Sequence, residues 1–150
     1  MMPDGYLGGA FAPTINDLLA GSTVAHPTRS FGTPFQVDPL YWSFVTYTLR
    51  VACTTTVPAL TGTATNTGRI DALSDANASP ADNIGSVRNN NSAQHTLTVS
   101  LGLTLGQDID STISFFVPPG FFVLLNAVTE TGAPVFTLVR STERILKGTP

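Results

Sequence analysis

The chain has 150 residues, a formal net charge of −3 and one cysteine, enough for one domain and too little for two comfortable ones. Only 11% of its residues are charged, against roughly 25% in an ordinary soluble globular protein. Its six arginines and the single lysine, Lys147, nowhere cluster, which argues against a cationic face for nucleic-acid phosphates, and one cysteine excludes an intrachain disulfide framework.

Mixed surface charge normally keeps folded proteins apart, so a surface this neutral points to an assembly whose neighbours cover it. The N-terminus lacks the basic start and apolar stretch of a secretory signal. The longest apolar run, residues 115–125, is interrupted by Pro118-Pro119-Gly120 and is too short to cross a bilayer. The expectation is a protein made in a cytoplasm that stays soluble or joins an assembly there, with no membrane.

Residues 1–38 read as an extended docking arm. Pro3, Pro13, Pro27 and Pro34, with Gly5, Gly8, Gly9, Gly21 and Gly32, forbid regular structure across the whole segment. One short helix is predicted over residues 15–20, with Thr14 as N-cap, Asp17 in the first turn and Gly21 as the stop. A free tail would be mostly polar; this one carries Phe11, Leu18, Leu19, Phe31 and Phe35, the residues expected to anchor it on another surface.

Residues 39–150 read as a β-sandwich domain. From Tyr41 the pattern has period two, with Val45, Tyr47, Leu49, Val51 and Cys53 on one face and Phe44, Thr46, Thr48, Arg50 and Ala52 on the other. Cys53 falls on the apolar face and reads as a small core residue. Residues 63–73 form a second run whose small side chains suit close approach to another backbone. Residues 74–93 are rich in turn formers, Asn89-Asn90-Asn91-Ser92 among them, and read as loop with a short strand near Ile84 and Val87. His95, Leu97, Val99, Leu101, Leu103 and Leu105 alternate with Thr, Ser and Gly, which predicts one strand over 95–105. A turn at Gly106-Gln107-Asp108, a strand over 111–117, a tight turn at Pro118-Pro119-Gly120, a strand over 121–127, a turn over 129–134 and a strand over 135–146 complete the chain. Several strands without a long helical pattern predict an all-β antiparallel β-sandwich or jelly-roll-like domain behind its arm.

Catalytic constellations are missing. No Gly-x-Ser-x-Gly elbow is present, and neither His26 nor His95 is marked for a Ser-His-Asp site. One cysteine and two distant histidines do not make a zinc site. Asp108 and Asp110, or Asp71, Asp75 and Asp82, lack the loop pattern of a calcium site and read as solvated turn carboxylates. Asp108, Asp110, Glu130 and Glu143 lie near strand ends without the signature of a glycosidase pair. The expectation is a non-enzyme with no metal and no cofactor. Tyr41 and Trp42 are the candidate glycan contacts, although aromatics such as Tyr41, Trp42, Phe44, Phe121 and Phe122 more often serve core and subunit interface.

Three stretches resemble a group of small bacteriophage virion structural proteins of the fibre, spike and head-associated kind. They are Arg29-Ser30-Phe31-Gly32-Thr33-Pro34-Phe35-Gln36, the strand Val45-Thr46-Tyr47-Thr48-Leu49-Arg50-Val51-Ala52-Cys53-Thr54, and Val117-Pro118-Pro119-Gly120-Phe121-Phe122-Val123-Leu124-Leu125 with Phe136-Thr137-Leu138-Val139 and Glu143. The resemblance covers most of residues 29–146. It implies a homo-oligomer, a trimer favoured, attached to capsid, neck or tail proteins of a virion assembled in the host bacterial cytoplasm. The alternative is a carbohydrate-binding module of a tail fibre that recognises a host surface glycan, and a small hydrolase is the third.

Overall fold

The computed structural model describes residues 20–57, 61–96 and 102–147. They form eight strands: β1 Thr23–Ala25, β2 Phe35–Gln36, β3 Trp42–Val57, β4 Thr61–Asp75, β5 Asn83–Thr96, β6 Leu103–Val117, β7 Phe122–Thr131 and β8 Val135–Leu146. Successive antiparallel pairs are nested, β4 with β5, β3 with β6, β2 with β7 and β1 with β8, as in one long hairpin. Folding that hairpin over brings β8 against β3 and β7 against β4. The result is two four-stranded sheets, β1-β8-β3-β6 (sheet A) and β2-β7-β4-β5 (sheet B), an all-β sandwich.

The alternation predicted from Tyr41 onward is the spine of sheet A. Val45, Tyr47, Leu49, Val51 and Cys53 are all fully buried, and they meet Ile70, Ala72, Val87, Val123 and Leu125 from sheet B, with Phe115 and Val117 from β6 closing one side. Side chains on a strand alternate between faces, so the opposite set points outward by the same geometry. Pro118-Pro119-Gly120 turns as expected, with Phe121 N–H donating to Pro118 O at 3.2 Å and Gly120 at φ +77°. At Gly68 a Cβ would stand 2.7–2.9 Å from Pro134 and Phe136, which is the close approach that the small residues of β4 anticipate.

Four expectations are corrected. Of residues 74–93, only the stretch before Asn83 is a loop, held by the Asp75 carboxylate, which accepts from Asn77 N and Ala81 N, and by Ser74 N–H donating to Asp82 O. The asparagine run is strand. Buried Asn89 donates through Nδ2 to Val51 O (2.8 Å) and Gln107 O (2.7 Å), and buried Asn91 donates to Cys53 O (2.8 Å) and Leu105 O (3.0 Å). These bonds across the two sheets override the turn propensity of asparagine. Second, residues 95–105 are not one strand, because β5 ends at Thr96 in sheet B and β6 begins at Leu103 in sheet A. Third, Gly106-Gln107-Asp108 is no turn; it lies inside β6 opposite Thr54, Cys53 and Ala52, its conformation set by pairing with β3. Fourth, β7 runs on to Thr131, and the reversal into β8 falls at Gly132, φ +77°.

The interior changes character along its length. β8 accompanies β3 only as far as Ala52, and β7 accompanies β4 only from Thr67. Beyond those points two two-stranded ribbons face each other, and between them lie Thr55, Asn66, Asn89 and Asn91 beside Cys53, Val57 and Ala93. Asn66 Nδ2 donates to Thr54 O at 2.9 Å, and Thr55 Oγ1 donates to Asn91 O at 3.3 Å. The narrow end is therefore stitched by amide-to-carbonyl bonds where an apolar filling would be thin. Asn91→Ala removes two such bonds and opens a void, and is expected to cost about 2–3 kcal/mol, read as a lower denaturant midpoint at unchanged m-value.

Candidate interaction surface

Strand alternation that buries Val45 and Tyr47 turns Trp42, Phe44, Thr46, Thr48 and Arg50 outward on sheet A. Register places Phe44 between Arg144 of β8 and Phe116 of β6, with Val24 of β1 beyond Arg144; Trp42 lies beside Leu146 one row on. Apolar side chains of β1, β3 and β6 thus form a band that Arg144 of β8, bonded to Ser22 Oγ, interrupts. Phe116 is 60% exposed, Trp42 51% and Val24 46%, and the Phe44 and Phe116 rings pack with centroids 4.9 Å apart. Leu40, 73% exposed, and Tyr41 precede the band, their N–H groups both held by the Asp38 carboxylate at 2.8 and 2.9 Å.

Further along the same face the polar groups pair with one another. Thr46 meets Ser114 at 2.9 Å, Thr48 meets Thr112 at 3.0 Å, and Arg50 grips Asp110 through two bonds of 2.6 and 2.8 Å. The Arg50 bonds hold the Asp110 carboxyl below its ordinary range. Sheet B presents a different outer face. Glu130 binds Arg88 and Arg69, Arg69 reaches on to Asp71, and Ser86 donates to Asp71.

Behind the band a buried ion cluster locks the crossing from β1 to β2. Arg29 donates to both oxygens of Glu143 at 2.9 and 2.6 Å, and Tyr47 donates its hydroxyl to Glu143 at 2.8 Å. The guanidinium also stands 4.1 Å from the centre of the Phe35 ring, itself edge-on to Tyr47. Burial, then the Glu143 charge, pushes the Tyr47 hydroxyl far above its usual range, so it stays a donor. A groove of about 400 Å³ opens beside this cluster, where residues 26–28 leave β8; His26, Pro27, Leu138, Val139 and Arg140 line it.

Three of the four carboxylates considered for hydrolysis are engaged singly, Asp110 with Arg50, Glu130 with two arginines and Glu143 with Arg29 and Tyr47, while Asp108 is exposed on β6 opposite Ala52. His26 Nδ1 faces the carbonyl of Ser141 at 2.9 Å, while the Ser141 hydroxyl donates to Pro27 O. That arrangement fastens the chain and activates no serine. Among the described residues no three His, Cys, Asp or Glu side chains converge as a metal set. Cys53 is fully buried, and desolvation raises its thiol pKa, the condition of a core residue.

Among the expected arm anchors, Phe11, Leu18 and Leu19 lie outside the described residues, as does most of the helix expected over 15–20. Phe31 and Phe35 pack against the domain's own core, and Gly32 N–H donates to Leu125 O. Residues 23–25 and 35–36 are edge strands of the two sheets, so this part of the expected arm is joined to the sandwich in cis. Tyr41 and Trp42 are exposed as a glycan contact would require. The sequence reading missed Val24 and Phe116, whose meeting depends on register between strands far apart in the chain. It also missed the Arg29–Tyr47–Glu143 cluster, for which the lone acidic residue in an alternating strand is the available signal. No family model, curated protein or solved structure matches the chain.

Glu143→Gln leaves Arg29 half-buried without its anion and is expected to lower stability by about 2–4 kcal/mol, the lower end reflecting Arg29's partial exposure; thermal unfolding of the variant reads it. On sheet B, Arg88 and Arg69 depress the Glu130 carboxyl below its ordinary 4.5. A depressed carboxylate stabilises the fold above its unfolded-state pKa and loses that contribution as pH falls through the folded value. Arg88→Ala therefore moves the Glu130 titration midpoint upward toward 4.5, followed by carboxyl NMR.

Proposed function

We propose that this chain is a non-enzymatic bacteriophage virion structural protein, an oligomeric surface component of the fibre, spike or head-decoration kind. The observation that carries the reading is the exposed apolar band of Val24, Trp42, Phe44 and Phe116 on a sandwich with so few charges. Contiguous exposed apolar surface of this sort belongs to interaction sites. The strand orders 1-8-3-6 and 2-7-4-5 are those of a jelly roll, an architecture found in viral capsid and lectin domains, and this likeness of fold is an analogy that supports the reading without carrying it.

Asp110, Glu130, Glu143, His26 and Cys53 are each committed to structural bonds or burial, which favours binding over catalysis. In this reading the domain works by burying surface against copies of itself and against capsid, neck or tail proteins. Residues 1–19 contribute the outward attachment, with Phe11, Leu18 and Leu19 as anchors, and Phe31 and Phe35 belong to the domain that is attached.

The alternative is the glycan-binding module of a tail fibre, favoured by one observation: Tyr41 and Trp42 are exposed side by side, with Leu40. Aromatic faces flush with a surface stack on sugar rings.

The full-length protein is expected to sediment as a homo-oligomer, with a trimer the leading candidate. A chain that stays monomeric at high concentration and binds a bacterial surface polysaccharide through Trp42 would replace this reading with the glycan module. Binding that survives Trp42→Ala would remove Trp42 from either role.

A further inference from the structure

We infer that the outer face of sheet A is the contact surface for a second copy of this chain, centred on the band of Val24, Trp42, Phe44 and Phe116 and extending along β3 and β8 to Val135. The inference rests on the oligomeric reading above and names the surface that does the work.

Three observations converge on this face. Four of the large apolar side chains that stand in solvent point from it: Val24, Trp42, Phe116 and, opposite Ala52 at its far end, Val135 at 61%. The outer face of sheet B carries Leu73, Phe122, Leu124 and Val128 only half exposed, beside the Arg88–Glu130–Arg69–Asp71 chain, and sheet B's one large apolar side chain well in solvent among the described residues is Ile84 of β5 at 46%.

The cross-strand hydroxyls and the Arg50–Asp110 pair between the two apolar ends of sheet A are already satisfied within the face. Thr46 with Ser114, Thr48 with Thr112, and Arg50 with Asp110 keep their partners when water is removed. Desolvating a polar group is costly chiefly when it is left without a partner. A paired, flat field of hydroxyls bounded by aromatics can therefore be covered at low cost. Arg50 and Asp110 also cancel in charge; Arg140 and Arg144 of β8, opposite Thr48 and Phe44, stand on the same face, Arg144 donating to Ser22 Oγ.

The size is that of a small interface. Eleven residues of β3, from Trp42 to Ala52, pair with β8; at about 3.3 Å per residue and about 4.8 Å per strand, β8, β3 and β6 present roughly 520 Å², and the three residues of β1 add about 50 Å². A standard interface covers about 800 Å² on each partner. The band supplies the aromatic anchors at which binding energy concentrates, and the hydroxyl field supplies the surround that excludes water.

The test uses the full-length chain and two variants placed on exposed positions, so that the core is untouched: Phe116→Asp at the band and Val135→Asp at the far end of the face. Thr63→Asp, exposed on sheet B, is the control. Sedimentation gives the association constant, and the emission of Trp42, the chain's one tryptophan, reports cover of the band. The wild type is expected to associate with blue-shifted, quencher-protected emission. Phe116→Asp should weaken association at least about 30-fold and expose Trp42; Val135→Asp should weaken it less, and the control not at all.

If both face variants associate as tightly as wild type, this surface is the wrong one while the oligomeric reading stands. A wild type that is monomeric throughout overturns both. Protected Trp42 emission in that monomer would assign the cover to the chain's own N-terminal residues, and quenchable emission would leave the face to a partner other than itself.

Discussion

Everything in this domain is arranged around one strand that has to be buried on one side. β3 runs for 16 residues with every second side chain inside, from Ser43 to Val57. A shift of one residue in its pairing would bring Arg50 and four threonines into the core and expel Tyr47, Leu49 and Val51, so the hydrophobic pattern fixes the register of β6 on one flank and β8 on the other. That register in turn decides what the outside looks like. Phe44 meets Phe116 and Arg50 meets Asp110 because their inward neighbours are locked.

The two halves of the sandwich meet the demands of burial in different ways. Where the sheets are four strands wide, aliphatic and aromatic side chains fill the interior, and the one charge cluster there is fully engaged. Arg29, Tyr47 and Glu143 are worth little as net attraction, since desolvation opposes the Coulomb gain. Their effect is to tie the crossing between β1 and β2 to both β3 and β8. Where the sheets narrow to two strands each, asparagine amides span the gap and bond main-chain carbonyls on the opposite ribbon. Such a network is directional, and it fixes how the ribbons sit in a region where apolar packing alone would permit sliding.

Much of the fold was legible in the sequence, and the parts that were not share a cause. The alternation over 45–53, the Pro-Pro-Gly reversal and the closing hairpin are local signals, and each corresponds to a strand or turn in the structure. The Asn89–Asn91 run and Gly106-Gln107-Asp108 carry local turn chemistry that long-range contacts override, the first by pairing with β4 and amide bonds to β3 and β6, the second by pairing with β3, and no window of neighbouring residues contains that information. The leucine alternation over 95–105 has the right period but crosses from one sheet to the other. The surface was half legible: Tyr41 and Trp42 stood out as aromatics before a strand, whereas Val24 and Phe116, 92 positions apart in the chain, come onto one face with Phe44 only through the register of four strands. Phe31 and Phe35 looked like anchors because prolines and glycines surround them; the core they pack against is made by distant strands, with Tyr47 of β3 edge-on to Phe35, while the guanidinium over Phe35 is that of Arg29 in the same segment.

A domain with its reactive groups tied into structural bonds, few charges and one apolar face is suited to being a part of something larger. The most direct measurement of the proposed virion role is the composition of phage particles purified from cells that make this chain, by quantitative mass spectrometry after a high-salt wash. The account predicts the chain in fixed copy number per particle, a multiple of its solution oligomer. Its absence from washed particles, or its presence only in the soluble lysate, would contradict the account.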